Sequence, residues 1–265
     1  MTTQVDPFTL EVIRNALTAI AEEMSFVVMR AARSPLLREA GDLSSAITGA
    51  SGEMVAQGRD IPIHLGVMCF TVKVFLKRVP TDRLFPGDIW FLNLPEVGGN
   101  HLPDVKAIQP IFVDATLQAF AVSLAHWADI GGAAPGSYAT SATDAWQEGL
   151  RIPPVRLFTK EGPDREKLNF VLANVRGAGE REGDILAQMA STRSADLRMQ
   201  ELYARHGPET VNQAIDALHD RAEVQMRSAI AKLPLGEYTG EDWLDDDGID
   251  AVSYTHLTLP TILLV

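Results

Sequence analysis

The chain has almost no cysteine, no long apolar run and no excess of basic residues. Its single cysteine, Cys69, excludes an internal disulfide and a cysteine-rich zinc site, and it fits a reducing cytoplasm. No apolar run reaches the length of about 18 residues that a membrane span needs. The first residues lack the basic region and apolar core of a signal peptide. The net charge of −12 leaves no basic surface for nucleic acid. We therefore expect a cytoplasmic protein that binds neither nucleic acid nor a membrane.

Three common functional motifs are also missing. The chain has no G-x-x-x-x-G-K-[ST] phosphate loop, no G-x-G-x-x-G turn after a strand and no G-x-S-x-G nucleophile elbow. Cys69 lies in an apolar segment, where packing explains it better than nucleophilic chemistry. If the protein is an enzyme, these absences favour a metal over a side-chain nucleophile.

Helical and strand patterns alternate along residues 1–160, and helical patterns follow. Asp6 and Pro7 are typical of a helix start, and the apolar spacing predicts a helix to about Ala32. Further segments predict strands at 43–47, 54–57 and 89–93, two strands within 107–124, and helices at 64–79, 165–176, 180–207 and 208–232. We expect an α+β fold, with a mixed β-sheet catalytic region and flanking helices followed by a mainly helical segment.

Two short clusters contain the chemically informative side chains. The first is Gly98-Gly99-Asn100-His101-Leu102-Pro103-Asp104, and the second is Ala125-His126-Trp127-Ala128-Asp129-Ile130-Gly131-Gly132. The apolar run between them predicts two strands joined by a tight turn, which brings His101 and Asp104 beside His126. Imidazole nitrogens and a carboxylate oxygen are common ligands of a divalent metal. The pattern therefore predicts a metal site.

Each of these residues also has a structural interpretation. Single histidines often form hydrogen bonds with backbone groups at turns. The H-x-x-D spacing followed by a later histidine makes a metal site about as favoured as that structural role. Asp129 fits either a group that orients a ligand imidazole or a turn residue before the glycine pair. Taken alone, Asp42 is a loop carboxylate, and His64 fits a buried histidine with satisfied hydrogen bonds.

Six segments, in order, resemble the hydantoinase B/oxoprolinase family. They are REAGDLSS, VAQGRDIPIHLG, GGNHLPD, AHWADIGGAAPGS, EGLRIPPVRL and LANVR with EREGDILAQ. The resemblance covers nearly all of residues 7–250, and family members are longer. We therefore assign residues 1–250 to the N-terminal part of a domain of this type, and we expect residues 251–265 to be a truncated or non-native tail.

The resemblance implies a subunit of an ATP-dependent hydrolase that opens cyclic amides such as N-methylhydantoin or 5-oxoproline. A hydantoinase A-type partner would carry ATP and Mg²⁺ in a hetero-oligomer. The implied ligands of a divalent metal (Mn, Zn or Fe) are Asp42, His101, Asp104 and His126, and we assign proton handling to Asp129 or a carboxylate near it. The alternatives are the metal-binding subunit of an ATP-dependent ketone carboxylase and a non-catalytic assembly subunit.

Two positions depart from the family pattern that the resemblance implies. The family commonly has an aspartate and an aromatic residue where this chain reads Asn93-Leu94-Pro95-Glu96, and a second histidine where this chain has Trp127. Neither departure removes an implied ligand. Both are expected to alter the substrate pocket or a contact behind the ligands.

Overall fold

The computed structural model describes residues 5–240, 242–243 and 253–254, in two units that divide after Asp220. The α-helices are α1 (Pro7–Ala31), α2 (Pro35–Arg38), α3 (Pro62–Arg78), α4 (Arg165–Ala173), α5 (Ala178–His206) and α6 (Pro208–Ile230). The strands are β1 (Leu43–Gly49), β2 (Met54–Gln57), β3 (Ile89–Leu92), β4 (Asp104–Val113), β5 (Thr116–His126), β6 (Val155–Thr159), β7 (Gly162–Pro163), β8 (Asp242–Trp243) and β9 (Ser253–Tyr254). The tail expected at 251–265 lies outside the described residues, apart from β9.

One seven-stranded sheet organises the first unit, in the order β2-β1-β5-β4-β3-β6-β7. All of its neighbouring strands are antiparallel. The predicted α+β class is confirmed, whereas the sheet is antiparallel instead of mixed. The reason is that tight turns join three of the neighbouring pairs, while parallel neighbours need a long crossover connection.

A two-residue turn joins the long strands β4 and β5. Val113 pairs with Thr116, so Asp114 and Ala115 form the turn. Both have positive φ, 48° and 63°, which is the backbone that a type I′ hairpin turn requires. The two strands predicted in the apolar run are therefore confirmed, and the register of the pair is fixed over its whole length.

The sheet lies between helices on both faces. Alternate residues of β5 point to opposite sides, so Val122 and Leu124 pack with α3 while Ala121 and Ala125 pack with α1 and α5. The N-terminal end of α1 is capped by Asp6, which accepts hydrogen bonds from two backbone N–H groups. Because α5 covers the sheet beside α1, the helix predicted at 180–207 is part of the same core.

None of the helices in the described part of the chain has both the length and the apolar character needed to cross a membrane.

Candidate metal centre

The candidate metal centre lies where β4 begins and β5 ends. Asp104 is the first residue of β4, His126 is the last residue of β5, and the register places them opposite each other. Asp42 immediately precedes β1, and its carbonyl accepts a hydrogen bond of 3.0 Å from the backbone N–H of His126. The hairpin thus brings the two predicted clusters together.

The Asp104 carboxylate lies between two imidazoles. Its Oδ2 is 3.0 Å from His101 Nδ1, and its Oδ1 is 3.2 Å from His126 Nδ1. One ligand atom from each of these residues lies within 4.8 Å of the others. A metal ion needs each ligand atom at about 2.0–2.2 Å. Small side-chain rotations would bring the three ligand atoms to that distance from one ion. Asp42 lies beside this group of three, with a carboxylate oxygen 3.8 Å from His126 Nδ1.

Hydrogen bonds keep Asp104 ionised although it is buried. Burial opposes the charge, but hydrogen bonds from His101 and His126 outweigh it and hold the pKa of the Asp104 carboxyl well below its usual range. The hydrogen bond to Asp104 in turn raises the pKa of His101. Asn100 Nδ2 also donates to Asp104 Oδ2, at 3.1 Å. The carboxyl therefore has the charge that a metal ligand needs at neutral pH.

The glycine pair before His101 allows the loop to lie against the protein backbone. A Cβ on Gly98 would lie 2.6 Å from Thr71 Cα, and φ there is +76°. A Cβ on Gly99 would lie 2.6 Å from the Asn93 carbonyl oxygen. The Thr71 hydroxyl donates to the Gly98 carbonyl at 2.6 Å. The two glycines thus allow close contact with α3 and the end of β3, which fixes the start of the loop that carries His101.

Two residues that were not predicted for the site also face Asp104. His64, in the first turn of α3, has Nε2 3.6 Å from Asp104 Oδ2 and 3.9 Å from Asp42 Oδ1. Lys106 is fully buried, and its Nζ has no hydrogen-bond partner among the described residues. Burial lowers the pKa of Lys106 to about 8, while Asp104 opposes this shift. Lys106 was detectable in the sequence, because residues two apart on a strand share a face.

Asp129 is engaged in the loop that leaves β5. Its two carboxylate oxygens accept hydrogen bonds from the backbone N–H groups of Gly131, Gly136 and Arg176 and from Arg176 Nη1. Burial acts to raise the pKa of Asp129, but these hydrogen bonds outweigh it and lower the pKa. The contacts support the turn-forming interpretation of Asp129, and its proton-handling role stays a prediction.

Trp127 lies in the core on the side of the sheet opposite the histidines. It is fully buried, and its indole N–H donates to Gln188 Oε1 at 3.0 Å. Gln188 Nε2 donates to the carbonyls of Val105 and Ser123, which ties α5 to the sheet. Arg181 lies over the indole ring, 5.4 Å from its centroid. Of the two expected effects of Trp127, these contacts favour a contact behind the ligands over an altered substrate pocket.

Comparison with known proteins places the whole chain in one group. The sequence profile described as hydantoinase B/oxoprolinase matches residues 6–262. The chain is 35% identical over 244 residues to caprolactamase subunit beta of Pseudomonas jessenii, covering 92% of this chain and 42% of that one. It is 28% identical over 253 residues to 5-oxoprolinase of Dictyostelium discoideum, covering 93% of this chain and 20% of that one.

Solved structures give the same result for the fold. The crystal structure of ATP-dependent caprolactamase from Pseudomonas jessenii superposes with a TM-score of 0.87 at 34% identity, covering 91% of this chain and 42% of that one. A nucleotide-free acetone carboxylase superposes with a TM-score of 0.73 at 22% identity, covering 79% of this chain and 28% of that one, and it shows the fold alone. The chain thus spans less than half the length of the proteins it matches here.

Proposed function

The chain belongs to the hydantoinase B/oxoprolinase family, and we propose that it forms the metal-binding region of an ATP-dependent enzyme that opens cyclic amides. The observation that carries the proposal is the cluster of His101, Asp104 and His126, with ligand atoms within 4.8 Å of one another. The similarity to an ATP-dependent caprolactamase over 91% of this chain supports the choice of a lactam as substrate.

Asp42, His101, Asp104 and His126 would hold the metal. Two imidazole nitrogens and carboxylate oxygens suit Zn²⁺, Mn²⁺ or Fe²⁺, and an ionised Asp104 supplies negative charge where the cation would bind. When bound, such an ion supplies Lewis acidity, which polarises a carbonyl oxygen and makes water more acidic. The donor set present in the fold therefore fits the group that the family resemblance implies.

The side chains of this chain also define where a substrate would approach. The His101 side chain is 46% exposed, whereas those of His126 and Asp104 are 13% and 2% exposed. The substrate would therefore reach the cluster from the side of His101. In the metal-free site Asp104 contacts both imidazoles and orients them, because each of its oxygens accepts a hydrogen bond from one ring. Asp129 remains our candidate for proton handling, and it also fixes the loop after β5.

We assign the ATP chemistry to a hydantoinase A-type partner that carries ATP and Mg²⁺. Transfer of the terminal phosphoryl group of ATP to the lactam oxygen would release ADP and make the ring carbon more electrophilic. Water would then add to that carbon, and the ring C–N bond would break as the nitrogen takes a proton and leaves as the amine. A second water would hydrolyse the resulting acyl phosphate and release phosphate. The term subunit beta in the name of the similar caprolactamase supports a hetero-oligomer. A cytoplasmic location stays a prediction.

The test uses the complete enzyme, purified together with its partner. We expect His101→Ala and His126→Ala to remove bound metal and ATP-dependent opening of caprolactam, 5-oxoproline or N-methylhydantoin. His206→Ala, at the end of α5, is the matched control and should retain both. Full metal content and full turnover in both cluster variants would refute the proposal.

The same preparation separates the two alternatives. A ketone carboxylase would consume bicarbonate and a ketone with ATP and leave lactams unchanged. A non-catalytic assembly subunit would contain no stoichiometric metal, and the cluster variants would weaken assembly with the partner while leaving turnover by the assembled fraction unchanged.

A further inference from the structure

A third histidine, His64, faces the candidate metal centre from α3. Its side chain is only 4% exposed, and its Nε2 lies 3.6 Å from Asp104 Oδ2 and 3.9 Å from Asp42 Oδ1. Both carboxylates belong to the implied ligand set, whereas His64 does not. The position of this ring therefore requires its own explanation.

The hydrogen bonds of Ser44 determine which ring nitrogen of His64 carries the proton. The Ser44 hydroxyl lies 2.7 Å from the Leu43 carbonyl oxygen and 3.2 Å from His64 Nδ1. A hydroxyl has one proton, and the shorter contact to a carbonyl, which can only accept, takes it. Ser44 Oγ then accepts a hydrogen bond from the Nδ1–H of His64. In the neutral ring this leaves the lone pair of Nε2 directed at the site.

A lone pair that faces two carboxylates is an unfavourable arrangement unless a positive charge lies between them. Lys106 also faces Asp104, but its ammonium group makes no hydrogen bond to any described residue of the site. Asp104 is ionised, and its oxygen lies 3.6 Å from Nε2. No hydrogen bond joins Nε2 to any residue that the structure describes. A cation at the centre of the group would attract the nitrogen and both carboxylates together. The arrangement is that of a ligand aimed at an ion.

We propose that His64 is a further metal ligand of this site, with Ser44 as the positioning residue that fixes its tautomer. The proposal rests on the metal centre of the proposed function. Two ligands of one ion lie at most about 4.4 Å apart when each is about 2.0–2.2 Å from the metal. The distances of 3.6 Å and 3.9 Å from Nε2 to the two carboxylates satisfy this limit. A ligand set with three imidazoles favours Zn²⁺ or Fe²⁺ over a cation that prefers oxygen.

Cobalt(II) alone is the probe for the test, because its visible absorption reports the number and type of ligands. The whole 265-residue chain is titrated with Co²⁺ against a competing chelator, as the wild type, His64→Ala, His64→Gln, Ser44→Ala and His206→Ala. We expect both His64 variants to bind Co²⁺ at least about tenfold more weakly and to show a changed spectrum. Ser44→Ala should weaken binding less and keep the wild-type spectrum, because the ligand itself remains. His206→Ala should match the wild type.

The outcomes distinguish this inference from the metal centre itself. Thermal unfolding identifies any variant that fails to fold, and His64→Gln then replaces His64→Ala. If both His64 variants keep the wild-type affinity and spectrum while His101→Ala loses Co²⁺ binding, the metal centre stands and His64 is not a ligand. If the wild type binds no Co²⁺, the metal centre of the proposed function fails, and the role of His64 fails with it.

Discussion

Replacement of Lys106 by methionine should make the metal-free protein more stable at pH 7. Burial lowers the pKa of Lys106 from its ordinary value of 10.5 to about 8, although Asp104 attracts the charge. This difference corresponds to about 3 kcal/mol for keeping the ammonium charged at pH 7, an upper limit because the interior relaxes around a buried charge. Methionine has a similar length and no charge, and the cross-strand partners of Lys106 are Leu92 and Leu124.

The effect should depend on pH in a defined direction. Between pH 8 and 10.5 the unfolded lysine holds a proton that the folded one has lost, so this residue contributes a rise in wild-type stability across that range. The methionine variant should lack this contribution. Asp104 and His64 are the titratable neighbours of Lys106. Their ordinary pKa values, 3.8 and 6.5, both lie below this pH range, so neither residue contributes to the rise.

Urea unfolding with EDTA, followed by circular dichroism at pH values from 7 to 10.5, measures both effects. Lys77→Met changes an exposed lysine on α3 and serves as the matched control, with an expected change within about 0.5 kcal/mol. A Lys106→Met protein that is less stable than the wild type by more than about 1 kcal/mol would refute the reasoning. It would show that the ammonium group has a favourable partner in the fold.

Three further predictions concern the surroundings of the site. Gly98→Ala should lower the free energy of unfolding in urea more than Gly177→Ala does. Both glycines have positive φ, but only a Cβ at Gly98 would meet backbone atoms. Equal decreases in the two variants would contradict this. Trp127→Phe should lose about 1 kcal/mol of stability with its hydrogen bond to Gln188 and leave the KM of the complete enzyme unchanged, whereas a changed KM would place Trp127 at the substrate. In the metal-free chain, Asp104 should contribute stability that is present above its ordinary pKa of 3.8 and lost as the pH falls below that value, since the folded pKa is lower. The free energy of unfolding of Asp104→Asn should therefore depend less on pH in the acid range than that of the wild type. An unchanged dependence on pH in that variant would contradict the assignment.

Local signals in the sequence were sufficient to predict the centre of the fold. The turn at Asp114 and Ala115 lies between two apolar runs, and one tight turn forces the chain to return on itself. Since His101 precedes β4, Asp104 begins it and His126 ends β5, their meeting follows from that turn alone. The end of α1 was predictable for a similar reason, because Ser34 and Pro35 interrupt its apolar spacing.

The rest of the site depends on contacts between distant segments. Asp42 reaches the cluster because β1 pairs with β5, and nothing local in either strand specifies that neighbour. His64 lies on α3, and the position of α3 depends on apolar packing against one face of the sheet. An apolar stretch around a histidine predicts burial, but it does not show what the ring faces. The residues alone therefore left Asp42 and His64 as a loop carboxylate and a core histidine.

Strand geometry indicates which of the two effects expected of Trp127 is favoured. It directly follows His126 at the end of β5, and neighbouring residues on a strand point to opposite faces. Its position predicts a side chain away from the metal cluster. The structure places it there, against Arg181 and Gln188 of α5.

The central claim is that Asp104 and its two histidine neighbours hold one divalent ion. Equilibrium dialysis of the 265-residue chain against Zn²⁺ or Mn²⁺, followed by elemental analysis, tests it most directly. We predict one ion per wild-type chain and none above background for Asp104→Asn, with both proteins folded by circular dichroism. Equal metal content in the two proteins, or none in the wild type, would contradict the claim.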